Sequence, residues 1–369
     1  MQCNAVSLVN FRNIEKASVR FCPSVNVLYG NNAQGKTNLL EAIYFAAIGK
    51  SFRSLHAKEC IAFGKESAAL SVDFTAQNRV QNITMQLFQS RVRTVEKNHV
   101  RVGKMSELMG AFRAVLFCPE HLTLIKGGPA ERRQFLDIAI SAREPAYLAA
   151  LQRYGHILKQ RNALIRTAEK DRAVFNATVE LWSQQLAREG AYIARSRMRY
   201  VEKAAPYLRE CFAEMTNERE VPTLSYLGCE RAEFPNYEDL GTVEAHLLDR
   251  LCQNHDREIA AGATLYGIHK DDIGITLNDR DARIFASQGQ QRSLSLALKL
   301  AEGELCREDC GEYPVFLLDD VLSELDGSRR EYLLHRIKGK QVIMTTCEPG
   351  FGHADHVINV EGGVFRENF

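Results

Sequence analysis

The chain has almost no net charge and no long hydrophobic run. Its 369 residues contain 47 Lys and Arg against 46 Asp and Glu, a formal net charge of +1. The longest apolar stretches, such as Val315–Leu318, fall far short of the ~20 residues that span a bilayer, so we expect no membrane association. No basic segment followed by an apolar one opens the sequence, and we therefore expect no secretory signal.

The chain also lacks the cysteine patterns of a metal site or a disulfide framework. Its ten cysteines form no C-x-x-C pair, and cysteines scattered in this way are typical of reduced thiols in a cytoplasmic protein. Hydrophobic and charged fractions of 45% and 25% exclude disordered and collagen-like classes. A net charge near zero would argue against a nucleic-acid binder, so the distribution of the charge has to be considered.

Two β-rich ends flank a helical middle. Apolar, β-branched runs between Gly, Asn and Pro signals predict strands. These are Asn4–Leu8, Val25–Tyr29, Ala69–Phe74, Ile83–Phe88, Ile273–Leu277, Val315–Leu318, Gln341–Thr345 and His356–Val360. Between them, apolar residues recur at three- to four-residue spacing, as at Leu148 and Leu151, which predicts helices. We therefore expect an α/β fold with one discontinuous domain, 1–125 and 250–369, and a mainly helical insert, 126–249.

Positive charge is concentrated in the first part of this insert. Residues Lys126–Lys203 include fifteen Lys or Arg and eight Asp or Glu, a net of +7. The densest group comprises four arginines with one acid among them: Arg188, Arg195, Arg197 and Arg199, with Glu189. Two interpretations remain open, a solvated helix surface and a track for a phosphate backbone.

The strongest local signal is the segment Gly30–Thr37, which reads GNNAQGKT and fits the pattern GxxxxGK[ST]. The predicted strand Val25–Tyr29 precedes it, and Asn38–Ile43 is predicted to be a helix. Glycines let backbone N–H groups turn toward one anion, which then lies at a helix N-terminus. Lys36 would contact the β- and γ-phosphates, and the Thr37 hydroxyl would ligate Mg2+. The segment predicts a nucleoside triphosphate site without distinguishing ATP from GTP.

A second element of such a site follows the predicted strand Val315–Leu318. The strand ends in two carboxylates, Asp319 and Asp320. Asp319 would hold Mg2+ through water, and Asp320 would orient or deprotonate the attacking water. Apolar strands with terminal acids are common, so the two aspartates indicate a nucleotide site only in combination with the phosphate loop.

Two polar loops complete the set of motifs. Ser287–Arg292 precedes an amphipathic helix predicted over Ser293–Leu305. Ser287 could simply cap that helix, or the loop could present the helix dipole to a second anion, and both interpretations stay open. The other loop, Ser323–Asp326, follows the two aspartates.

The order of these segments, GNNAQGKT, SQGQQRS, LLDD and SELD, resembles the ABC-type ATPases of the SMC branch. Three further segments narrow the resemblance to the RecF family and extend it along the whole chain. They are NFRN from Asn10, FCPEHLTLIKGGPAERRQFLD from Phe117 and ASQGQQRSLSLALKLAE from Ala286. The resemblance implies an ABC-type P-loop ATPase head with mixed sheets and an inserted, mainly helical lever arm.

The resemblance also implies roles for individual residues. It makes Lys36 and Asp320 catalytic, and Thr37 and Asp319 the residues that hold Mg2+. The residues that would contact ATP come from the phosphate loop, the N-terminal NFRN segment and the SQGQQRS segment: Gly30, Asn31, Asn32, Ala33, Gln34, Gly35, Lys36, Thr37, Arg12, Asn13, Ser287, Gly289 and Gln290. The last three would reach the γ-phosphate of ATP on a second copy, so ATP would join a homodimer with Asp326 near its interface.

The same resemblance implies a function in DNA metabolism. It suggests an ATP-dependent, cytoplasmic protein of DNA replication and recombinational repair that binds double-stranded DNA and single/double-strand gap junctions. With RecR and RecO as partners it would help to load recombinase at gaps and would support the SOS response. ATP and Mg2+ would be its cofactors, and weak, DNA-stimulated ATP hydrolysis would act as a release timer.

The sequence departs from the family pattern in two places. Residues Gly267–Asp272 read GIHKDD where the family has a GPHRDD-like segment. Loss of the proline frees a backbone φ, and Lys270 in place of Arg keeps the charge but removes a bidentate fork. Many ABC ATPases have a histidine after the last core strand, whereas Val342–Cys347 has none. We therefore expect slow hydrolysis.

Three alternatives share part of this pattern. The ATPase subunit of an ABC transporter has the same motif order but would not need a basic helical insert. A long-armed SMC protein needs a sustained heptad repeat, whereas the periodicity here breaks near 170–174. A P-loop kinase of small metabolites would explain neither Ser287–Arg292 nor Ser323–Asp326.

Overall fold

The computed structural model describes residues 1–216, 220–229, 237–348 and 354–368. The chain divides into two compact units. The first comprises Met1–Leu122, Cys211–Glu218 and Arg292–Phe369, and the second comprises Thr123–Glu210 and Arg219–Gln291. Within the described residues, no helix is both long and apolar enough to cross a membrane.

The described residues form strands and helices throughout both units. The strands are β1 (Gln2–Phe11), β2 (Ile14–Arg20), β3 (Val25–Tyr29), β4 (Ser67–Ala76), β5 (Arg79–Phe88), β6 (Thr94–Lys97), β7 (Val100–Arg101), β8 (Ala114–Phe117), β9 (Pro222–Leu227), β10 (Asp272–Leu277), β11 (Arg280–Asp281), β12 (Val315–Leu318), β13 (Val342–Thr346), β14 (His356–Glu361) and β15 (Val364–Asn368). The helices are α1 (Lys36–Ile48), α2 (Met105–Leu108), α3 (Thr123–Lys126), α4 (Pro129–Ser141), α5 (Pro145–Thr167), α6 (Arg172–Thr216), α7 (Leu240–Gln253), α8 (His255–Ala261), α9 (Ala282–Phe285), α10 (Gln288–Cys310) and α11 (Gly327–Arg336).

The first unit contains two six-stranded sheets. One is antiparallel, in the order β2-β1-β4-β5-β6-β7. Its strands alternate buried and more exposed side chains; in β4 the buried set includes Leu70, Val72 and Phe74. This alternation is the pattern of a sheet with one face on the core and one toward solvent.

The other sheet of the first unit places the candidate site. Its order is β15-β14-β3-β13-β12-β8, and all neighbours except β15 and β14 are parallel. Every residue of β8, β12 and β13 is buried, as expected for a parallel sheet covered on both faces. The carboxyl ends of β3, β12 and β13 therefore lie along one edge, where Gly30, Asp319 and Cys347 follow.

The second unit combines helices with a three-stranded antiparallel sheet, β11-β10-β9. Ile165, Ala168, Phe175 and Val179 form a hydrophobic cluster where α5 gives way to α6. In the same unit Arg161 and Glu258, both fully buried, pair at 2.6 Å, and Arg161 also donates to Ser183 and Thr264. A buried ion pair of this kind depends on complete hydrogen bonding.

The eight predicted strands are confirmed, with Val25–Tyr29 and Val315–Leu318 at their predicted bounds. The break in helical periodicity falls in the turn between α5 and α6. The predicted domain boundaries at 126 and 249 differ from the boundaries of the two units. Strand β10 pairs along its length with β9, which lies in the predicted insert. This ladder of non-local hydrogen bonds brings 250–291 into the second unit, and helical periodicity gives no sign of it.

Candidate functional site

The loop between β3 and α1 has a backbone that requires glycine at two positions. A Cβ at Gly30 would lie 2.2 Å from the carbonyl oxygen of Val360. Gly35 has φ of 109° and forms the N-cap of α1, and the intervening Ala33 has φ of 63°. Positive φ angles turn successive N–H groups to one side, and the loop then runs into the N-terminus of a 13-residue helix. This is the expected geometry of an anion site.

The ammonium group of Lys36 is buried and lies over this loop. Its Nζ donates to the carbonyl oxygens of Gly30 and, at 3.0 Å, Asn31. The thiol sulfur of Cys347 lies 3.1 Å from the same Nζ and donates to Oδ1 of Asn32 at 2.9 Å. These neutral acceptors orient the cation without neutralising it, so its charge remains available to an anion.

Thr37 and Asp319 meet directly. The Thr37 hydroxyl donates to Oδ1 of Asp319 at 2.8 Å, and the Thr345 hydroxyl donates to the same oxygen at 2.9 Å. Burial raises the pKa of Asp319, and these two hydrogen bonds oppose that shift. A carboxylate and a hydroxyl oxygen are hard donors of the kind that Mg2+ prefers. The predicted pair of residues therefore fits Mg2+, and Thr345 is a supporting residue that the sequence motifs did not reveal.

Asp320 is exposed and has an unusual backbone. Its φ of 49° lies in the left-handed region, which is uncommon for a residue with a side chain. Its N–H donates to the Thr345 hydroxyl at 2.9 Å, and its carbonyl accepts from the Ser323 hydroxyl at 2.8 Å. Thr345 thus binds both aspartates. Strained backbone held by its surroundings is characteristic of functional sites, which supports the choice of Asp320.

Of the two N-terminal candidates, Asn13 lies at the loop. Its amide nitrogen donates to the carbonyl of Ala33 at 3.3 Å, and its Oδ1 accepts from Asn38 at 2.7 Å. Gln34, the next loop residue, is held by the backbone N–H groups of Gly362 and Gly363. These contacts fix the loop from two sides.

Arg12 supports helix α1, and its contact with ATP stays a prediction. Its guanidinium makes a bidentate pair with the fully buried Glu41, at 3.0 and 2.6 Å, and donates to Ser54 and the carbonyl of Glu59. Burial would lower the pKa of Arg12, but Glu41 raises it above its ordinary value. The arginine therefore has protein acceptors for all three guanidinium nitrogens. Arg53, which the motifs did not identify, donates to Asn38 at 2.9 Å and opposes the rise in the pKa of Asp319.

Residues Ser287–Gln291 of the SQGQQRS segment belong to the second unit, and Arg292 and Ser293 belong to the first. Ser287 Oγ accepts from the N–H of Gln290 at 3.3 Å, while Gln290 Oε1 accepts from the N–H of Ser287 at 2.6 Å. This reciprocal arrangement is a capping box, so the interpretation of Ser287 as a helix cap is confirmed. Gly289 lies in the first turn of α10, and Gln290 also donates to Glu220. The contact with a second anion stays a prediction.

The remaining motifs have local structural roles. Asp326 caps α11, accepting from the N–H of Arg329 at 2.9 Å, and Arg329 Nε donates to Ser293 at 2.7 Å. Within GIHKDD, Lys270 is exposed, whereas Asp272 makes a bidentate pair with Arg132 at 2.6 and 2.9 Å. His269 Nε2 donates to the carbonyl oxygen of Thr264 at 3.1 Å, and its Nδ1 accepts from the Tyr154 hydroxyl at 2.8 Å.

Part of the positive charge of the insert is neutralised inside the second unit. Six of its arginines form ion pairs with acids of that unit: Arg132–Asp272, Arg153–Glu189, Arg161–Glu258, Arg172–Asp256, Arg197–Asp137 and Arg199–Glu238. Of the four-arginine group, Arg197 is buried and Arg199 is paired. The net charge of +7 counted over Lys126–Lys203 therefore overstates the free charge, because many of the balancing acids come from outside that range.

Comparisons with known proteins agree over nearly the whole chain. The family model described as "RecF/RecN/SMC N terminal domain" matches residues 3–363. "DNA replication and repair protein RecF" of Clostridium novyi is 36% identical, covering 94% of this chain and 92% of its own. The protein of that name from Staphylococcus carnosus is 36% identical, covering 100% and 98%.

Solved structures show the same relationship. A structure described as the recombination mediator protein RecF with ATP in the RecFOR pathway has a TM-score of 0.93 and 32% identity, and covers 100% of this chain and 97% of its own. The Smc head domain of Pyrococcus furiosus has a TM-score of 0.58 at 17% identity, covering 99% and 95%, and shows likeness of fold alone. The predicted fold class, an ABC-type ATPase head with mixed sheets, is confirmed.

Proposed function

The chain belongs to the RecF family of DNA replication and repair proteins, and on this premise we propose that it is an ATP-driven DNA-binding switch. ATP closes a homodimer on double-stranded DNA and at single/double-strand gap junctions, and hydrolysis reopens it. The observation that carries this proposal is the constellation of Lys36, Thr37, Asp319 and Asp320 at one sheet edge. The relatives matched along the chain are DNA replication and repair proteins, which argues against the ABC-transporter alternative.

The phosphates of ATP are bound by the N–H groups of Gly30–Thr37 at the start of α1. The ammonium of Lys36 exchanges its carbonyl partners for phosphate oxygens, which carry full charge. Thr37 and Asp319 hold Mg2+, which supplies charge stabilisation to the phosphates when bound. Asn13 holds the loop, and Arg12 acts by positioning α1 through Glu41.

Hydrolysis depends on Asp320. Its exposed carboxylate, fixed through the backbone by Thr345 and Ser323, accepts a hydrogen bond from the attacking water and takes its proton. No histidine occurs within Val342–Cys347, and Cys347 contacts Lys36 instead. We therefore propose slow hydrolysis. Its stimulation by DNA and its role as a timer are proposed from membership of the family.

ATP joins two copies because each site needs a second anion-binding loop. Ser287, Gly289 and Gln290 begin α10 and would reach the γ-phosphate held by the other copy. To convert a 1:99 equilibrium into 99:1, a ligand must favour one state by ~5.5 kcal/mol, and two ATP molecules can share that difference. The insert 126–249 is proposed to act as the arm of this dimer.

The cellular role follows from the family. We propose that the protein acts in the cytoplasm with RecR and RecO to load recombinase at gaps, and supports the SOS response. The description of the solved relative as a recombination mediator of the RecFOR pathway supports this proposal.

One experiment tests the proposed switch. Binding to duplex, single-stranded and gapped DNA is measured with ATP, ADP or no nucleotide, while light scattering follows the oligomeric state. The proposal expects a dimer and tight binding to duplex and gapped DNA with ATP only. Equal DNA binding by the monomer with ADP would contradict it.

A further inference from the structure

The antiparallel sheet of the first unit has a strongly basic edge. Residues 79–104, which include β5, β6 and β7, contain six Lys or Arg and one Asp or Glu, a net of +5. Five of these cations are called the basic edge below: Arg79, Arg91, Lys97, Arg101 and Lys104. All except Lys97 are exposed, and Lys97 is half-buried.

The basic edge keeps its charge unpaired, unlike the six arginines of the second unit that form ion pairs. Within the described part of the chain, none of its five cations lies at ion-pair distance from a carboxylate. Arg91 stacks on the ring of Phe88 at 3.7 Å, a contact that leaves its charge in place. Arg101 is opposite Glu96 in the β6–β7 ladder but does not reach it. These five cations therefore keep their charge along one edge of the antiparallel sheet.

The cations follow the length of the strands. Arg79 begins β5, and Arg91 follows its end. A strand of ten residues spans about 33 Å at ~3.3 Å per residue, close to the ~34 Å of one turn of duplex DNA. Lys97 and Arg101 lie on the two strands beyond β5, between these ends. The charge is therefore a track and not a pocket.

The basic edge is connected to the nucleotide helix. The sixth cation of the segment, Arg93, donates to the carbonyl oxygen of Gly49 at 2.5 Å, just after α1, and its guanidinium lies over the ring of Phe45. Gly49 also packs closely against the side chain of Met105, the residue after Lys104, because a Cβ at Gly49 would lie 2.3 Å from Met105 Cε. One end of the track thus rests against the C-terminal end of the helix whose N-terminus forms the phosphate loop.

We infer that the basic edge is the surface of this protein that binds the phosphate backbone of duplex DNA. The inference rests on the proposed DNA-binding function. It places the DNA contact on the antiparallel sheet of the first unit, whereas the sequence had suggested the helical insert. Edge strands also carry Lys and Arg to prevent pairing with other chains. That explanation does not account for Arg79 and Arg91, which lie at the turns, and β7 has only two residues to protect.

A salt titration of two matched variants tests the inference. Arg91→Gln with Lys104→Gln removes two cations of the basic edge, and Arg166→Gln with Lys170→Gln removes two exposed cations of the insert. Binding of a fluorescein-labelled duplex is followed by anisotropy with ATP and Mg2+ as salt is raised. Each lost phosphate contact reduces the magnitude of the slope of log K against log salt by about 0.9. The slope of the edge variant should therefore be smaller in magnitude by about 1.8, and its affinity should be roughly tenfold lower or more. The insert variant should keep the wild-type slope.

The outcomes separate this inference from the proposed function. A wild-type slope in the edge variant, or an equal loss in the insert variant, overturns the basic edge as the contact surface and leaves the proposed function standing. Failure of the wild-type chain to bind duplex DNA with ATP overturns both. Retained binding of a fluorescent ATP analogue shows that each variant is folded. If Arg91→Gln with Lys104→Gln does not fold, Arg79→Gln with Arg101→Gln carries the same expectation.

Discussion

Lys36 shows how one side chain is prepared for its ligand. Its ammonium is buried, yet its partners are two carbonyl oxygens and a thiol, none of which carries a full charge. Burying a cation without a counter-charge is unfavourable, so the site is stabilised when an anion arrives. The motif predicted this residue, whereas the partners that hold it were visible only in the structure.

Lys36→Ala should weaken ATP binding by roughly ten- to hundredfold, because charge-assisted hydrogen bonds contribute about 1.5 to 3 kcal/mol. Titration with a fluorescent ATP analogue measures the change. Lys50→Ala, an exposed lysine just beyond the other end of α1, is the matched control and should bind as the wild type does. Equal affinities for Lys36→Ala and the wild type would refute the assignment of the phosphate loop.

His269 gives the protein a predictable response to acid. Burial lowers the pKa of His269 from 6.5 to about 4. In the neutral ring, Nε2 donates to the Thr264 carbonyl and Nδ1 accepts from the Tyr154 hydroxyl, an acceptor role that protonation removes. Between these pKa values the unfolded chain binds more protons than the folded one, so stability falls as the pH is lowered through this range.

Urea unfolding of the wild type and of His269→Gln checks this effect. The contribution of His269 is fully present above pH 6.5 and should fall by about 2 kcal/mol by pH 5. The variant should lose less stability than the wild type over the same interval. Parallel losses in the two proteins would show that other groups, and not His269, cause the response.

At the scale of elements, side-chain contacts stabilise the N-terminal parts of helices α1 and α10, and the sequence motifs predict only some of these contacts. The first turns of α1 are held by Arg12 and Glu41, which are 29 positions apart in sequence. Helix α10 begins with the capping box of Ser287 and Gln290, of which the sequence indicated only the serine, as a candidate cap. A cap at this position therefore coexists with the proposed contact to the γ-phosphate of a second copy.

Ser287→Asp separates the two roles of the serine. Aspartate is as good an N-cap as serine, so urea unfolding should show a stability within about 0.5 kcal/mol of the wild type. Its negative charge would repel a γ-phosphate, so light scattering should detect no ATP-driven dimer. Nucleotide binding by the monomer should be unchanged. A dimer formed normally with ATP would limit Ser287 to the capping role.

At the scale of the whole molecule, the net charge of +1 results from unlike parts. Six arginines of the second unit pair with acids of that unit, and among the described residues the five cations of the basic edge in the first unit have no ion pair. Such a distribution permits DNA binding without the non-specific affinity of a strongly basic protein. A switch that binds DNA only as a closed dimer is consistent with this modest charge.

Asp320→Asn should bind ATP normally and prolong the dimer, because the nucleotide is held by other residues while the base for water is lost. Phosphate release measures hydrolysis, and light scattering measures the lifetime of the dimer. Asp279→Asn is the matched control, since Asp279 is also exposed and also has a positive φ, of 61°. Hydrolysis by Asp320→Asn at the wild-type rate would show that another group activates water.

The sequence alone determined the features that depend on neighbouring residues. Alternation and apolar runs located eight strands, and GxxxxGK[ST] located the phosphate loop. The polar loop before α10 indicated Ser287 as a candidate helix cap, although the helix was predicted from Ser293 and begins at Gln288. These signals are local, because strand period, loop geometry and capping are set within a few residues.

The tertiary structure decided which distant groups meet. Arg161 and Glu258, 97 positions apart, neutralise each other, and Thr345 joins the two aspartates from a neighbouring strand. The pairing of β10 with β9 sets the boundary of the second unit. Ion pairs and strand ladders form between residues brought together by the packing of the core, and no periodicity in the sequence encodes such partners. Only the tertiary structure therefore showed which cations form ion pairs and which do not.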